Sequence, residues 1–391
     1  MKKIYFIIGL LYVTHASAQT WNAYHQGIVD NTTLSNITTN LNEFVAFGEK
    51  NANKGMAKYN NLTDAKNWLK TNYQTYGYTD IVEDNFTENG RTVTNIVVTK
   101  TGTLYPNTYI IIDAHYDTLN GVGANDNGSG TSLLLEIARV MVNVPTEYSI
   151  KFIHFAGEEA GLLGSNYYAD NTGAALNIRY VFNIDQVGGV AGMTNNTIVC
   201  EKDTGSPSSN NAASATLTNE LATSIELYSS LNTEISYAYS SDYMPFEDNG
   251  EVITGLYEKN ETTHAHSSTD IIANMDIPYV YEITQGALGA LLHFAVADAT
   301  LLNLDNNELN DTFLVYPNPI KEELVLDFNG NTPKNLQVKI VNVLGKEVMV
   351  LNDRWSPKET TIINLNSLAS GIYLVQVIAD GILITKKISK Q

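Results

Sequence analysis

The sequence predicts an α/β fold with a mixed, mostly parallel sheet that carries helices on both faces, followed by a small all-β sandwich. Three observations support this prediction. Apolar runs that end in polar residues alternate with amphipathic helical patterns, the composition changes after Ala299, and only short alternating strands follow. The 391 residues, 43% of them apolar, are enough to bury a large core, and this length suggests about two domains.

The first eighteen residues have the layout of a cleavable signal peptide. Two lysines precede an apolar run over Ile4–Val13, and small residues stand at Ala16 and Ala18. A membrane span needs roughly twenty apolar residues, which this run does not reach. We therefore predict cleavage after Ala18 and a mature protein without a membrane span.

The larger domain is predicted to begin with two amphipathic helices between Ile37 and Tyr76, with Thr63 as a candidate cap of the second. Strands and helices then alternate, and the run TYIIIDAH is typical of a strand buried on both faces. The predicted elements are strands Ile81–Phe86, Thr92–Thr99 and Tyr109–Ala114, helix Thr131–Val142, strand Ser149–Phe155, helix Leu163–Asp170, strand Ile178–Ile184 and a helix over residues 278–298.

An Asn- and Asp-rich stretch follows Ala299, and beyond it only short alternating strands are evident. These are Glu323–Phe328, Leu336–Asn342, Glu347–Leu351, Thr360–Leu365, Gly371–Ile378 and Gly381–Ile388. We therefore predict a signal peptide over residues 1–18, an α/β domain over 19–299, a linker over 300–312 and a β-sandwich over 313–391.

Charge and cysteine content exclude several classes of function. The net charge is −19, and residues 313–391 carry nine Lys and Arg against seven Asp and Glu, so the acidic excess lies in the larger domain. Such a surface repels nucleic acids and anionic membranes, and we expect neither as a partner. Cys200 is the single cysteine. Its apolar neighbours indicate a core thiol, and it can form no disulfide within the chain.

Acidic residues and histidines follow the predicted strands repeatedly, at the ends where α/β sheets bind ligands. They are His115, Asp117, Asp126, Glu158, Glu159, Asp185, His264, His266 and Asp270. So many like charges in one cleft require cations, and two divalent ions would neutralise five ligands. Imidazole and carboxylate without thiolate favour zinc and also admit cobalt or manganese. His154 lies within a predicted strand, so we interpret it as a core histidine.

Five segments in family order, AHYDT, GANDNGSG, FAGEEAGLLGS, NIDQVG and HSSTD, span residues 113–270. Together they resemble the M28-type zinc exopeptidases, and among these the leucyl-like secreted bacterial aminopeptidases. The resemblance implies the zinc exopeptidase fold and two zinc ions per chain. By this resemblance His115 and Asp185 hold one ion, Glu159 and His266 hold the other, and Asp126 bridges them.

The same resemblance assigns the catalytic roles. Glu158 would be the general base and acid for a hydroxide that bridges the metals, and Asp117 would fix the tautomer of His115. His264 would be a bystander or an outer support of the site. The implied activity is removal of N-terminal, apolar residues from peptides with a free N-terminus, by a secreted or cell-surface enzyme.

One segment departs from the family pattern. Family members often carry Ser-Asp-His before an aromatic segment, whereas this chain has SDYMPF with Tyr243 in the histidine's place. The preferred N-terminal residue is therefore open. A tyrosine that assists the oxyanion in some members has two candidates here, Tyr237 and Tyr239.

The last domain resembles the sorting domains that direct cargo through the type IX secretion system. The similarity lies in VYPNP at Val315–Pro319, NVLGKEV at Asn342–Val348, LASGIYLVQV at Leu368–Val377 and the basic end TKKISK. It implies the type IX machinery as a partner. An adhesive or carbohydrate-binding module is the alternative for this domain.

Three other functions remain open for the larger domain at the level of sequence. A glutaminyl-peptide cyclase of the same fold uses the same ligands with one zinc ion. A carboxypeptidase or dipeptidase of the family is a further alternative. An inactive binding or adhesion protein on this scaffold would have lost a ligand or the base, and neither is missing.

Overall fold

The computed structural model describes residues 19–299, 301, 314–327, 336–342, 347–351, 360–379 and 382–391. The chain divides into two compact units, one ending at Ala297 and one beginning at Asp298. The predicted signal peptide and nearly all of the predicted linker lie outside the described residues, and the domain limits stay predictions. Within the described part of the chain, none of the helices has the length and apolar character needed to span a bilayer.

The first unit opens with three helices, α1 Ala23–Val29, α2 Leu34–Ala46 and α3 Met56–Tyr76. The sequence predicted α2 and α3, whereas α1 was not predicted. The prediction that Thr63 caps the second helix is wrong, because α3 follows Gly55. Thr63 lies inside the helix, where its hydroxyl donates to the carbonyl of Tyr59 at 3.0 Å.

An eight-stranded sheet forms the centre of this unit. Its strands are β1 Ile81–Glu88, β2 Arg91–Lys100, β3 Tyr105–His115, β4 Tyr148–Phe155, β5 Asn177–Ile184, β6 Thr197–Lys202, β7 Asn232–Tyr237 and β8 Ile253–Glu258. Their order across the sheet is β1-β2-β4-β3-β5-β8-β6-β7. The pairs β3–β4, β3–β5, β5–β8 and β6–β7 are parallel and the other three are antiparallel. The predicted mixed, mostly parallel sheet is thus confirmed.

Helices cover both faces of the sheet. The remaining ones are α4 Gly128–Met141, α5 Leu163–Asp170, α6 Asn211–Tyr228, α7 Met244–Asp248 and α8 Ile277–Phe294. Successive residues of β3 point to opposite faces: Ile110 and Ile112 join the large core on the side of α2, α4 and α8. Ile111 joins a second core that contains Tyr168 of α5 and Phe246 of α7. Each fully buried side chain of this kind stabilises the fold by about 1.5–3 kcal/mol.

The three central strands end at one edge of the sheet. His115 of β3 pairs in register with Phe155 of β4, and Asp113 pairs with Asn183 of β5. Because β3, β4 and β5 run in parallel, the residues that follow each strand emerge side by side. The fold therefore gathers the segments after residues 115, 155 and 184 into one place.

The second unit contains two antiparallel sheets with a core of its own. Its strands are β9 Leu314–Tyr316, β10 Glu323–Asp327, β11 Leu336–Asn342, β12 Glu347–Leu351, β13 Thr360–Asn364, β14 Gly371–Ala379 and β15 Ile382–Lys390. One sheet has the order β13-β10-β9 and the other β12-β11-β14-β15. Leu324, Leu326, Val375 and Val377 are buried in this core. The predicted small β domain is confirmed, and β9 is an addition to the predicted strands.

Candidate metal centre

The candidate ligands stand where the central strands end. His115 is the last residue of β3, and Asp185 directly follows β5. Glu158 and Glu159 lie in a short 3-10 helix, Glu158–Ala160, three residues beyond β4. Gly157 precedes this turn with a φ of 79°, a left-handed conformation that glycine adopts without strain. The chain thereby reverses at the sheet edge and brings both glutamates over it.

His115, Glu158 and Asp185 form a first group, whose candidate ligand atoms lie within 4.8 Å of one another. His115 Nε2 is 3.2 Å from Asp185 Oδ1 and 4.0 Å from Glu158 Oε2. His115 is 1% exposed. Burial alone would lower the pKa of this imidazole, but the surrounding carboxylates, Asp185 first, raise it above its ordinary value.

Asp126, Glu159 and His266 form a second group that meets the same distance criterion of 4.8 Å. His266 Nε2 is 3.0 Å from Asp126 Oδ2 and 3.0 Å from Glu159 Oε2. His266 differs from the other members because its side chain is 52% exposed. Its hydrogen bond with Asp126 raises its pKa to about 9 against the opposing effect of burial.

Asp126 lies between the two groups. One of its oxygens, Oδ1, is 3.3 Å from His115 Nε2, and the other, Oδ2, is 3.0 Å from His266 Nε2. Burial would raise the pKa of Asp126, but hydrogen bonds with the two histidines outweigh it and lower the pKa to about 2. A single carboxylate thus faces both groups, which is the arrangement that a bridging ligand requires.

Asp117 supports the turn that carries the two glutamates. Its carboxylate accepts the backbone N–H of Glu158 at 3.1 Å and of Glu159 at 3.3 Å. Its backbone carbonyl is 3.2 Å from His115 Nδ1, nearer than its carboxylate at 3.8 Å. Asp117 therefore contacts both the histidine and the glutamate turn, and the sequence had indicated only the first contact.

Asp270 holds the segment that carries Asp126. Its two carboxylate oxygens accept the backbone N–H groups of Asn125 at 2.8 Å and Asp126 at 3.0 Å. The cap of α4 is the next residue, Asn127, whose side chain accepts the N–H of Gly130 at 2.9 Å. Asp126 is left free to face the two histidines.

The residues present fit a pair of divalent metal ions. Burial raises the pKa of Glu159 to about 8, with Asp126 as the next cause, and burial also raises the pKa of Glu158. Glu159 Oε1 is buried and has no hydrogen-bond partner among the described residues. Crowded carboxylates with an unpaired oxygen and imidazoles nearby favour a cation, and the nitrogen and oxygen donor set is one that zinc binds.

A cavity of about 440 Å³ opens beside the two groups. Tyr239 and Tyr257 line it, and their ring centroids are 6.0 Å apart. Of the two tyrosines that the sequence offered, Tyr239 thus lies on the cavity, whereas Tyr237 does not line it and is 61% exposed.

Tyr243, the residue that departs from the family pattern, is fully buried in the wall of this cavity. Its hydroxyl donates to Glu201 Oε2 at 2.8 Å and accepts the backbone N–H of Tyr239 at 3.0 Å. Ser241, two residues earlier, donates to Asp185 Oδ2 at 2.8 Å. The SDYMPF segment therefore supports both a candidate ligand and the cavity wall.

Sequence reasoning assigned no role to Glu201, Ser241 or Asp270. Asp270 carried a local signal, because it is the last residue of the HSSTD segment. Ser241 lies in the departing SDYMPF segment, where only the tyrosine drew attention. Glu201 had no signal at all, since it is a lone acid within β6.

The other singled-out residues lie away from the two groups. His264 Nδ1 is 2.8 Å from the hydroxyl of Thr269, and His264 belongs to neither group. His154 is fully buried, with Nε2 3.0 Å from the hydroxyl of Tyr73, in agreement with a core histidine. Cys200 is buried, and burial raises the pKa of its thiol.

Two family models match the chain. Residues 95–290 match peptidase family M28. Residues 314–391 match the secretion system C-terminal sorting domain. The first match contains every residue of both candidate metal groups.

Among curated proteins, the chain is similar to aminopeptidase YwaD of Bacillus subtilis, with 49% identity over 82 residues. That match covers 20% of this chain and only 18% of YwaD. A probable zinc metalloprotease of Pyrenophora tritici-repentis is 24% identical over 408 aligned positions, covering 88% of this chain and 89% of that protein.

Among solved structures, the LapA aminopeptidase of Legionella pneumophila superposes with a TM-score of 0.60 at 22% identity, covering 71% of this chain and 77% of that one. A glutaminyl cyclase from Macrostomum lignano gives a TM-score of 0.61 at 14% identity, covering 73% of this chain and 97% of the cyclase. At these identities the two structures establish a shared fold and do not distinguish one chemistry from the other.

Proposed function

Because the chain belongs to peptidase family M28 and is a zinc peptidase, we propose that it is an exported two-zinc aminopeptidase that removes single residues from the N-terminus of peptides. The observation that supports this proposal most directly is the pair of three-residue groups that share the facing carboxylate of Asp126. Every residue needed for two ions and for a proton carrier is present.

His115 and Asp185 would hold one zinc ion, Glu159 and His266 would hold the other, and Asp126 would contact both. The supporting distances are those of Asp126 to the two imidazoles, 3.3 and 3.0 Å. Zinc, when bound, supplies Lewis-acid chemistry, since it polarises a carbonyl and lowers the pKa of water.

Glu158 would move the proton. It follows a glycine turn, its backbone is fixed by Asp117, and burial raises the pKa of its carboxyl group. A carboxylate with a raised pKa can accept a proton from the attacking water and return it to the departing amine. Glu158 also lines the cavity, so its carboxylate has access to a substrate there.

The cavity would bind the N-terminus of a peptide rather than an internal segment. Besides the candidate zinc ligands, the carboxyl groups of Glu158, Glu201 and Glu261 line it, and these would favour the free α-ammonium of a substrate. Because a peptide interior offers no such cation, recognition of the N-terminus follows from the charge of the wall.

A comparison of two adjacent glutamates tests this proposal. Glu158→Gln keeps the shape of the side chain but cannot accept a proton, so kcat should fall at least about 10²–10⁴-fold while KM changes little. Glu159→Gln weakens a ligand, so its metal content should fall and excess zinc should restore part of the activity. Near-normal turnover by fully metallated Glu158→Gln would refute the mechanism.

The glutaminyl cyclase alternative is favoured by one observation, the fold shared with the Macrostomum lignano enzyme. It predicts a single ion and the conversion of N-terminal glutamine to a cyclic product. Incubation of a glutaminyl peptide with the zinc-loaded protein separates the two functions. Release of free glutamine supports the aminopeptidase, and loss of ammonia from an intact peptide supports the cyclase.

Export would proceed through the type IX system, as the sorting-domain match over residues 314–391 suggests. Peptide substrates with free N-termini and the secretion machinery would then be its partners, outside the cell. Removal of residues 313–391 should keep the protein inside a host that has the type IX system. If the domain is instead an adhesive module, its removal should leave export unchanged.

A further inference from the structure

Carboxylates away from the metal centre collect where the loop after β6 meets α7. Asp203 and Glu247 are 2% and 1% exposed, and Asp248 is the last residue of α7. The carboxyl group of Glu247 faces those of Asp203 and Asp248 within hydrogen-bonding range. Glu247 therefore contacts an acid on each side, and the two residues Asp203 and Glu247 are hidden from solvent.

The backbone at Gly205 lies closely over these carboxylates. A Cβ atom at this position would be 2.7 Å from Glu247 Oε1 and 3.3 Å from Asp203 Oδ1. The N–H of Gly205 donates to Asp203 Oδ1 at 2.6 Å. The loop at Gly205 therefore contacts acids from two separate segments.

Four buried oxygens of this region have no hydrogen-bond partner among the described residues. They are Asp203 Oδ2, Glu247 Oε1, Asn210 Oδ1 and Asn211 Oδ1. The two amides are oriented by their nitrogens, because Asn210 donates to the carbonyl of Glu251 at 2.7 Å and Asn211 to that of Gly205 at 3.3 Å. Buried acceptors are rarely left unpaired in native proteins, so this concentration points to a ligand.

The charges of the region favour a cation as that ligand. None of the ion pairs found within the described part of the chain includes Asp203, Glu247 or Asp248. Burial, followed by the charges of Asp203 and Asp248, raises the pKa of Glu247 to about 7. The carboxylates repel one another, and no lysine, arginine or histidine of the described chain offsets the repulsion.

We propose that the buried carboxylates of Asp203 and Glu247 bind a calcium ion. The donor set is made of oxygen only, which suits a hard cation and disfavours zinc. The oxygens come from a loop and a short helix, and calcium tolerates such irregular coordination whereas magnesium requires an octahedron. Asp248 is exposed, which gives the ion a route from solvent.

The ion would join two segments that form the wall of the cavity. Asp203 stands two residues after Glu201, and Glu247 stands four residues after Tyr243. Glu201 and Tyr243 are hydrogen-bonded to each other at 2.8 Å. Calcium would therefore hold the β6 loop against α7 and stabilise the wall without contacting the zinc ligands.

Calcium titration of the full-length, zinc-saturated protein tests this site. Calorimetry should detect one calcium ion per chain, with a Kd of about 10⁻⁴–10⁻³ M, as in extracellular modules. Millimolar calcium should raise the unfolding temperature by about 1–3 °C. Glu247→Gln and Asp203→Asn should each weaken binding at least about 10-fold.

Asp64→Asn is the matched control, because it removes the same charge from an exposed position on α3 and should leave calcium binding unchanged. No calcium response in the wild-type protein would overturn the proposal. If the acids instead share a proton, Glu247→Gln will raise the unfolding temperature and calcium will have no effect. Retained zinc content and activity in the variants would show that they are folded.

A second inference concerns the cavity beside the zinc ligands, and it rests on the proposed function. Apart from the candidate ligands and Glu158, the described residues that line it are Gln186, Glu201, Tyr239, Ser240, Ser241, Tyr243, Tyr257, Glu261, Thr262 and Ala265. One of these is aliphatic, two are carboxylates, and no lysine or arginine is among them. The wall therefore combines the rings of Tyr239, Tyr243 and Tyr257 with acidic and other polar groups, and the acids could favour a cationic N-terminal side chain over an aliphatic one.

Glu201 is the member of this wall with the most specific environment. It is 3% exposed, and Tyr243 binds its Oε2. No hydrogen bond to its Oε1 occurs among the described residues that surround it. Burial raises the pKa of Glu201 to about 8, so a cationic side chain that contacts its free oxygen would stabilise the charged form of this carboxyl group, whereas an aliphatic side chain would not.

We infer that Glu201 selects substrates whose N-terminal residue is lysine or arginine. Glu261, which is exposed, would add attraction at the rim. Fluorogenic aminoacyl substrates test the inference: kcat/KM should be at least about 10-fold higher for lysine and arginine than for leucine. Glu201→Gln should lower kcat/KM for the basic substrates at least about 10-fold more than for leucine.

The outcomes separate this inference from the proposed function. Cleavage with leucine preferred, or an equal loss for all substrates in Glu201→Gln, would refute the specificity and leave the aminopeptidase intact. Failure to cleave any aminoacyl substrate would refute the aminopeptidase itself. Glu261→Gln serves as a comparison and should lower kcat/KM for the basic substrates less than Glu201→Gln does.

Discussion

Tyr243→Phe removes a single oxygen atom from a fully buried side chain. The ring is tightly enclosed, since a Cβ at Gly255 would lie 2.6 Å from Tyr243 Cε1. Phenylalanine keeps that ring, so the perturbation is confined to the hydroxyl. Two partners are left unpaired by the change, Oε2 of Glu201 and the backbone N–H of Tyr239.

The cost follows from those two partners. A buried polar group that loses its hydrogen bond costs about 1–3 kcal/mol. Relaxation of the exposed Tyr239 segment would recover part of this, and we expect a loss of about 2–4 kcal/mol in the free energy of unfolding. The pKa of Glu201, which burial raises and the Tyr243 hydrogen bond lowers, should rise further.

Urea unfolding of the zinc-saturated protein measures the loss as a lower midpoint with an unchanged slope. Tyr237→Phe is the matched control, because that tyrosine is 61% exposed and should change the stability by less than about 0.5 kcal/mol. Surface substitutions typically change the free energy of unfolding by less than about 0.5 kcal/mol. A change no larger than this in Tyr243→Phe would refute the role given to the hydroxyl.

Four further predictions address the metals, the core and the domains. Elemental analysis should find two zinc ions per chain, one in His266→Ala and two in His264→Ala. Lys50→Met should lower the free energy of unfolding by about 3–6 kcal/mol in urea, because the buried ammonium donates to three backbone carbonyls. Burial lowers the pKa of His154 to about 3 from 6.5, so the unfolded state binds the extra proton. The wild type should therefore lose stability as the pH falls through this window, and His154→Gln should reduce the slope by up to about 1.4 kcal/mol per pH unit. A chain of residues 19–305 should retain full peptidase activity, and a loss would show that the β domain belongs to the enzyme.

The central strands could be predicted because their local signal coincides with their burial. In β3, Ile110, Ile111 and Ile112 are fully buried although they face opposite sides of the sheet. Such a continuous apolar run can be recognised as a buried strand from a few neighbouring residues. The short helix α5 was predicted with its observed limits, Leu163–Asp170.

No helix or strand was predicted between residues 186 and 277, and the polar side chains that α6 buries are one reason. Helix α6 buries Ser214, Thr218 and Ser224 on its inner face. Ser214 donates to the carbonyl of Ile253 at 2.6 Å, and Thr218 is 2.9 Å from the hydroxyl of Thr254. The same face also buries Leu217, Leu221 and Ile225, so the apolar side chains account for only part of the inner face of the helix.

The site divides in the same way. His115, Asp126, Glu159, Asp185 and His266 each stand within a short segment whose composition indicates metal binding. Their supports do not, because the hydrogen bonds that hold them join residues far apart in the chain. The bond from Ser241 to Asp185 spans 56 residues, and that from Tyr243 to Glu201 spans 42. Only the folded topology brings such partners together.

Most of the candidate ligands and part of the cavity wall come from different strands of the sheet. His115, the glutamate turn and Asp185 follow the parallel strands β3, β4 and β5, whereas Glu201 and Tyr257 lie on β6 and β8, which pair antiparallel. His266 follows β8, so the second half of the sheet also contributes one candidate ligand. Substitutions at Glu201 or Tyr257 can nevertheless reshape the cavity while the segments after β3, β4 and β5 stay unchanged. Single substitutions in this wall could therefore change the substrate preference of related enzymes, because the candidate metal ligands need not change with it.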